Sequence, residues 1–254
     1  MPAGIYAIVR NGPHPEEHPV LIMKGASVAT SVQARAHMLC GECEKRFDKG
    51  GEEWVIENCW HGEAEFPMRT ALMAATPFVE EEGFRAFEAK GVPGVDLEKL
   101  VYFAASMFWR GALDGWRMGK GRPTRLMLGL YEEVLRRFLL GETPFPNHVL
   151  LVVSLSEAQD NLNNRNMSLP SGGDRSEHGR HYQFVIPGIT FLVIVGKAIT
   201  PEMRQIGTWP NGFVYIATEG DARKLTALVS ATKDAPRRGK LLKDLGPAAA
   251  RLAP

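Results

Sequence analysis

The chain predicts an α+β fold: a small N-terminal β-hairpin and helix unit, then central helices, then a C-terminal antiparallel sheet. Three observations carry this expectation. Runs with β-branched, period-two character and runs with helical spacing occupy separate blocks instead of alternating, which is the pattern of α+β and not of a parallel α/β sheet. Four β-prone runs follow one another after residue 146. With 254 residues, 44 % of them hydrophobic, the chain can bury a core without a metal or a disulfide framework.

Element by element, residues 5–9 (IYAIV) and 20–23 (VLIM) are apolar and β-prone, and Asn11-Gly12-Pro13-His14-Pro15 between them excludes regular structure, so the pair reads as a hairpin. Residues 25–33 continue as a third strand. A helix starts at Glu42, breaks at Gly50-Gly51 and resumes from Glu52 to about Cys59. Residues 67–75 form a short helix with Pro67 in its first turn. The acidic stretch 78–94 reads as two edge strands around a turn. Asp96 caps a long helix to about Leu113, with Leu97, Leu100, Val101, Ala104, Met107 and Phe108 at helical spacing. Residues 130–140 form a further helix that Gly141 ends. Strands are expected at 148–155, 182–186, 189–195 and 213–218, with a short helix at 221–230. Residues 157–180 read as a long polar loop rich in Asn, Ser and Gly, the kind of connection that often carries function.

These readings divide the chain into a unit at 1–62, an α+β domain at 63–232 and a basic tail at 233–254 with six basic and two acidic residues. A formal charge of +1 gives no support to a nucleic-acid partner. The opening Met1-Pro2-Ala3-Gly4 has no basic flank, and the apolar run around residues 188–195 is far shorter than a spanning helix, so a soluble cytoplasmic protein with no membrane partner is expected. Three cysteines, an odd number, argue against paired disulfides and for metal, redox or core roles.

Cys40-Gly41-Glu42-Cys43 is the motif that carries chemistry. Two cysteines at this spacing present their sulfurs from one turn, and the amides opening the following helix favour thiolate, which suits zinc or dithiol chemistry. A dithiol oxidoreductase motif would follow a strand of a βαβ unit, a context that Arg35, His37 and Met38-Leu39 do not supply, so metal binding is the stronger expectation.

The string Leu39-Cys40-Gly41-Glu42-Cys43-Glu44-Lys45-Arg46-Phe47, followed by Gly51-Glu52-Glu53-Trp54-Val55, resembles the second zinc half of a group of uncharacterised bacterial proteins whose N-terminal modules are similar to HNH-type, treble-clef zinc folds. The likeness covers about 20 residues. It implies a degenerate treble-clef-like unit at 1–62 and a Zn2+ cofactor, while the first CxxC of that pattern has no counterpart here. It also implies an alternative activity, a metal-dependent nuclease in which His18, after Glu17, is the general base. Pro19 and the Glu44 position depart from the nuclease pattern.

A structural zinc ion takes four ligands. Cys59 and His61, brought back by the Gly50-Gly51 break, would complete a set with Cys40 and Cys43; His14 and His18 are the other candidates. Equally, Cys59 reads as a small apolar residue beside Trp60, and the two histidines as exposed loop residues beside Glu16 and Glu17. In the polar loop, His178, His181, Arg175 and Arg180 with Asn161, Asn163, Asn164 and Asn166 are candidates for a binding surface. Gly119-Lys120-Gly121-Arg122-Pro123 is not a phosphate-binding loop, and no nucleophile-elbow or HExxH motif occurs. The expected function is therefore a non-enzymatic binding protein with a partial zinc motif, its partner not specified by the sequence.

Overall fold

The computed structural model describes residues 2–10, 20–23, 26–29, 34–35, 39–62, 65–81, 84–113, 117–118, 125–157, 166–176, 179–217 and 238–239. In chain order these form α1 (Ala3–Arg10), β1 (Val20–Met23), β2 (Ala26–Ala29), β3 (Ala34–Arg35), α2 (Gly41–Phe47), a kinked turn (Asp48–Glu52) with non-helical backbone at Gly51, α3 (Glu53–Asn58) and α4 (Pro67–Met73). Then come β4 (Val79–Glu81), β5 (Phe84–Glu88), α5 (Leu97–Ala112), β6 (Arg117–Met118), α6 (Tyr131–Leu139), β7 (Val149–Ser156), β8 (Asn166–Ser176), β9 (Gly179–Ile186), β10 (Ile189–Val195), α7 (Pro201–Gln205), β11 (Phe213–Ala217) and β12 (Arg238–Gly239).

The fold is α+β. Seven strands in the order β8-β9-β10-β7-β11-β5-β4 make a mostly antiparallel sheet, extended past β8 by β1, β2 and β12. Its centre follows from sequence: β10 (ITFLVIV) and β9 pair antiparallel from Ile189↔Ile186 to Val195↔Arg180 across the tight Pro187-Gly188 turn. Gly188 takes φ +75°, and a side chain there would also press on the Phe66 ring at 2.7 Å. On its other side β10 pairs antiparallel with β7, and β7 runs parallel to β11.

α5 lies against this sheet. Asp96 accepts the Lys99 amide at 3.0 Å, capping the helix as its position predicts. Phe103 and Phe108 pack on Phe184 and Phe191, whose rings stack at 4.5 Å between centroids. All four are buried, each worth about 1.5–3 kcal/mol of transfer free energy. One hydrophobic cluster joins them to Val214 on the sheet and to Ile5, Tyr6, Phe47, Val55 and Cys59 of the N-terminal segment.

Two sequence expectations are corrected. Residues 5–9 lie in the helix α1 and not in a strand: Ile5, Tyr6, Ile8 and Val9 are buried, and Gly4 approaches Ile56 of α3 so closely that an added Cβ would sit 2.7 Å from its Cδ1. A five-residue apolar run carries no periodicity that separates strand from helix, so packing decided it. Residues 166–180 of the expected loop are largely strand, β8 and the start of β9. Pro170, Gly172 and Gly173 and register shifts at Ser168/Ser171 and Gly172/Asp174 erase the alternation by which a strand is recognised. Arg238 and Gly239 of the tail pair in parallel with Val28 and Ala29; the helix expected at 221–230 lies outside the described residues. Among the described residues no helix is long and apolar enough to cross a membrane.

Thr208, fully buried, stitches β7 to the start of β11: its hydroxyl accepts the Val153 amide at 2.9 Å and donates to the Phe213 carbonyl at 2.8 Å. Thr208→Val strands a buried amide and a carbonyl and is expected to cost about 2–3 kcal/mol in urea denaturation, with Thr208→Ser recovering most of it. A Val variant within about 0.5 kcal/mol of wild type would show that the stitch contributes nothing.

Candidate functional site

Cys40 is the residue at which the extended chain turns into α2. Its backbone is β-like, and its carbonyl accepts the first intrahelical bond, from the Glu44 amide at 3.0 Å. Cys43 lies in the first turn, so both sulfurs leave the same end of the helix. Cys40 is exposed and Cys43 half-buried. Although the Cys40 sulfur makes no side-chain cap of normal hydrogen-bond geometry, the Cys43 amide, and then the Cys43 thiol, donate toward it and hold the Cys40 thiol below its ordinary range. The same contact, with some burial, pushes the Cys43 thiol up; Arg46 opposes that rise. The two thiols are therefore unequal, thiolate being easier to reach at the exposed Cys40 than at Cys43.

What holds this turn in place is the packing behind it. Phe47 is buried with its ring 6.1 Å from Tyr102 and 5.9 Å from Trp109 of α5. Tyr102 donates to the Leu139 carbonyl at 3.0 Å, and burial pushes its hydroxyl up to about 12. Arg46 reaches the Leu140 carbonyl at 3.4 Å, tying α2 to the end of α6. Gly50 and Gly51 let the kinked turn press directly on α5.

Under the turn lies a pair that sequence reading missed. Glu52 and Arg110 are both buried and form an ion pair, Arg110 also donates to the Ser106 carbonyl and hydroxyl, and its guanidinium lies 5.2 Å from the Phe47 ring centroid. Burial raises the Glu52 carboxyl above its ordinary range and Arg110 works against that rise. The signal was present: an arginine in the apolar run Met107-Phe108-Trp109-Arg110-Gly111-Ala112 has to find an acid when the helix is buried.

Of the remaining expected ligands, Cys59 and His61 fall among the described residues. Cys59 and Cys40 flank opposite ends of the helical stretch 41–58. Cys59 is buried, its thiol donates to the Ile56 carbonyl at 3.3 Å, and burial pushes its pKa up to about 12. In the metal-free chain such a thiol stays protonated at neutral pH. The His61 Nε2 is 2.8 Å from the same Ile56 carbonyl, and His61 lines, with Gly4, Ala7, Ile8, Ile56 and Glu65, a cavity of about 370 Å3. Among the described residues no group of three or more His, Cys, Asp or Glu side chains is arranged to hold a metal ion. His14, Glu17 and His18 lie outside the described residues, as do His178, Asn161, Asn163 and Asn164. Of the expected polar surface, Arg175 falls on β8, Arg180 and His181 on β9, and Asn166 is buried at the start of β8. The chain matches no protein-family model, no curated protein and no solved structure, so its chemistry rests on these residues alone.

Proposed function

We propose that this is a binding protein, not a catalyst, whose Cys40/Cys43 thiol pair takes up a thiophilic metal ion, the role in which the motif implied Zn2+. The observation that carries the reading is the pair itself: two thiols three residues apart at the start of one helix, Cys40 exposed with its thiol held below the ordinary range and Cys43 half-buried. The rigid backing of Phe47, Tyr102 and the Glu52–Arg110 pair supports it, because a ligand turn anchored to the core loses little freedom when the ion binds.

Elemental analysis of protein purified without added metal and without a metal resin tests the reading. Close to one thiophilic ion per chain is expected in wild type and in Cys59→Ser, and none in Cys40→Ser or Cys43→Ser. Metal-free wild type that is folded, and that stays metal-free after reduction and reconstitution, would sink it; a reversible Cys40–Cys43 disulfide in that same protein would assign the pair to dithiol chemistry.

A further inference from the structure

We propose that the cavity between α1, α3 and the bridged segment at Gly62/Glu65 binds a small aliphatic amine in its ammonium form. The site is separate from the cysteine pair and does not rest on it. Gly4, Ala7 and Ile8 share one face of α1 at helical spacing, and Ile56 of α3 lines the same space. A Cβ at Gly4 would stand 2.7 Å from the Ile56 Cδ1, so the two helices touch at that end. One turn further along, the side chain of Ala7 is too short to fill the gap. The resulting volume, about 370 Å3, lies at the small-ligand end of the range that binding pockets occupy.

The polar side chains of the lining are His61 and Glu65. Their frame is fixed: the His61 amide donates to the Glu65 carbonyl at 2.8 Å, the Glu65 amide to the Gly62 carbonyl at 3.2 Å, and the buried Trp60 and Phe66 hold the two ends of the segment. The Ile56 carbonyl can only accept, so the His61 Nε2 that lies 2.8 Å from it carries the proton, and in the neutral ring Nδ1 is left as an acceptor. Glu65 is exposed, and its carboxylate is a second acceptor with a negative charge. Two acceptors, one of them anionic, select a cationic donor. An alkylammonium brings three N–H donors on a compact head and a carbon chain for the wall of Ala7, Ile8 and Ile56. The described lining residues include no aromatic ring, so the cage that suits a quaternary ammonium is not built here. The ammonium can belong to a free amine or to a lysine side chain.

The full chain, labelled with 15N, is titrated at neutral pH with hexylammonium, hexanol and hexanoate while amide shifts are followed by NMR. Hexylammonium is expected to move the signals of Ala7, Ile8, Ile56, His61 and Glu65 to saturation at one ligand per chain, hexanol to bind at least about threefold more weakly, and hexanoate to give no saturable shift. Glu65→Gln should weaken hexylammonium binding about three- to fivefold, and Ala7→Leu, which fills the space, should abolish it with the circular dichroism of wild type retained. Cys40→Ser should bind as wild type does, which separates this site from the metal reading. Hexanol or hexanoate binding as tightly as hexylammonium, or Glu65→Gln binding it as tightly as wild type, would overturn the ammonium assignment. Shifts that never saturate, or undiminished binding in a folded Ala7→Leu variant, would overturn the site itself. Nα-acetyllysine amide compared with butylammonium then distinguishes the sources: equal binding supports a lysine side chain as the ligand, and binding of butylammonium alone supports a free amine.

Discussion

Gly51→Ala is expected to destabilise the protein by about 3 kcal/mol or more, lowering Tm by roughly 6–12 °C for a chain of this size. An added Cβ would run into the Lys99 carbonyl oxygen of α5 and stand 3.1 Å from the Phe103 amide nitrogen. Both are backbone atoms of a helix buried along most of its length, so neither can swing aside. The glycine is therefore needed for close approach of two backbones, since its φ of 173° is open to any residue. Gly50→Ala meets the Tyr102 ring, which can rotate away at the expense of its hydrogen bond to Leu139, and is expected to cost less. Gly41→Ala meets nothing within 4 Å and should leave stability unchanged or slightly raised. A Gly51→Ala protein melting within about 2 °C of wild type would show that the kinked turn at Asp48–Glu52 does not pack on α5 as described.

The second large effect is expected at the buried ion pair. Arg110→Met leaves the Glu52 carboxylate inside the core without a cation and should cost about 3–5 kcal/mol, while the double variant Glu52→Met/Arg110→Met should recover most of that loss. The pH dependence has a definite sign. Glu52 already has its folded pKa above the ordinary carboxylate range through burial, and removal of Arg110 takes away the influence that opposes the rise. Between the unfolded and the folded value the native state holds a proton that the unfolded chain has lost, so stability falls as pH rises through that window. The deficit of Arg110→Met is accordingly greatest above the folded value and shrinks as pH falls through it. A deficit independent of pH, or a double variant as unstable as the single one, would assign the cost to lost packing and to the Ser106 bonds instead. Because the pair backs the turn that carries the cysteines, metal content of the folded double variant also reports whether the backing matters for binding.

Strong local signals in the sequence translated directly into structure. Asp96 before a helical apolar pattern, Pro67 opening a helix, Gly141 closing one and Pro187-Gly188 between two alternating runs each act through the backbone within a few residues, and each element stands where that chemistry places it. The Gly50-Gly51 break was equally legible as an interruption, though not what it meets: the kink at Gly51 sets the turn against Lys99 and Phe103 of α5. Residues 5–9 and 166–176 were misread for complementary reasons. The first run is too short to show a period, and the second hides its period behind bulges at Pro170 and Gly172.

For the candidate site, the sequence by itself determined the CxxC spacing and the helix after it, because thiol chemistry and helix initiation are both set by nearest neighbours. It also placed Cys59 and His61 among the ligand candidates, on chemical type and on the Gly50-Gly51 break that would fold the chain back toward the turn. Only the tertiary structure decided that Cys59 is sealed in the core against the Ile56 carbonyl, that Cys40 stays exposed, and that Glu52 meets Arg110 beneath the turn. Those outcomes depend on which residues distant in sequence share a low-dielectric interior, where burial and pairing, not spacing, fix whether a side chain is a ligand, a core residue or half of an ion pair.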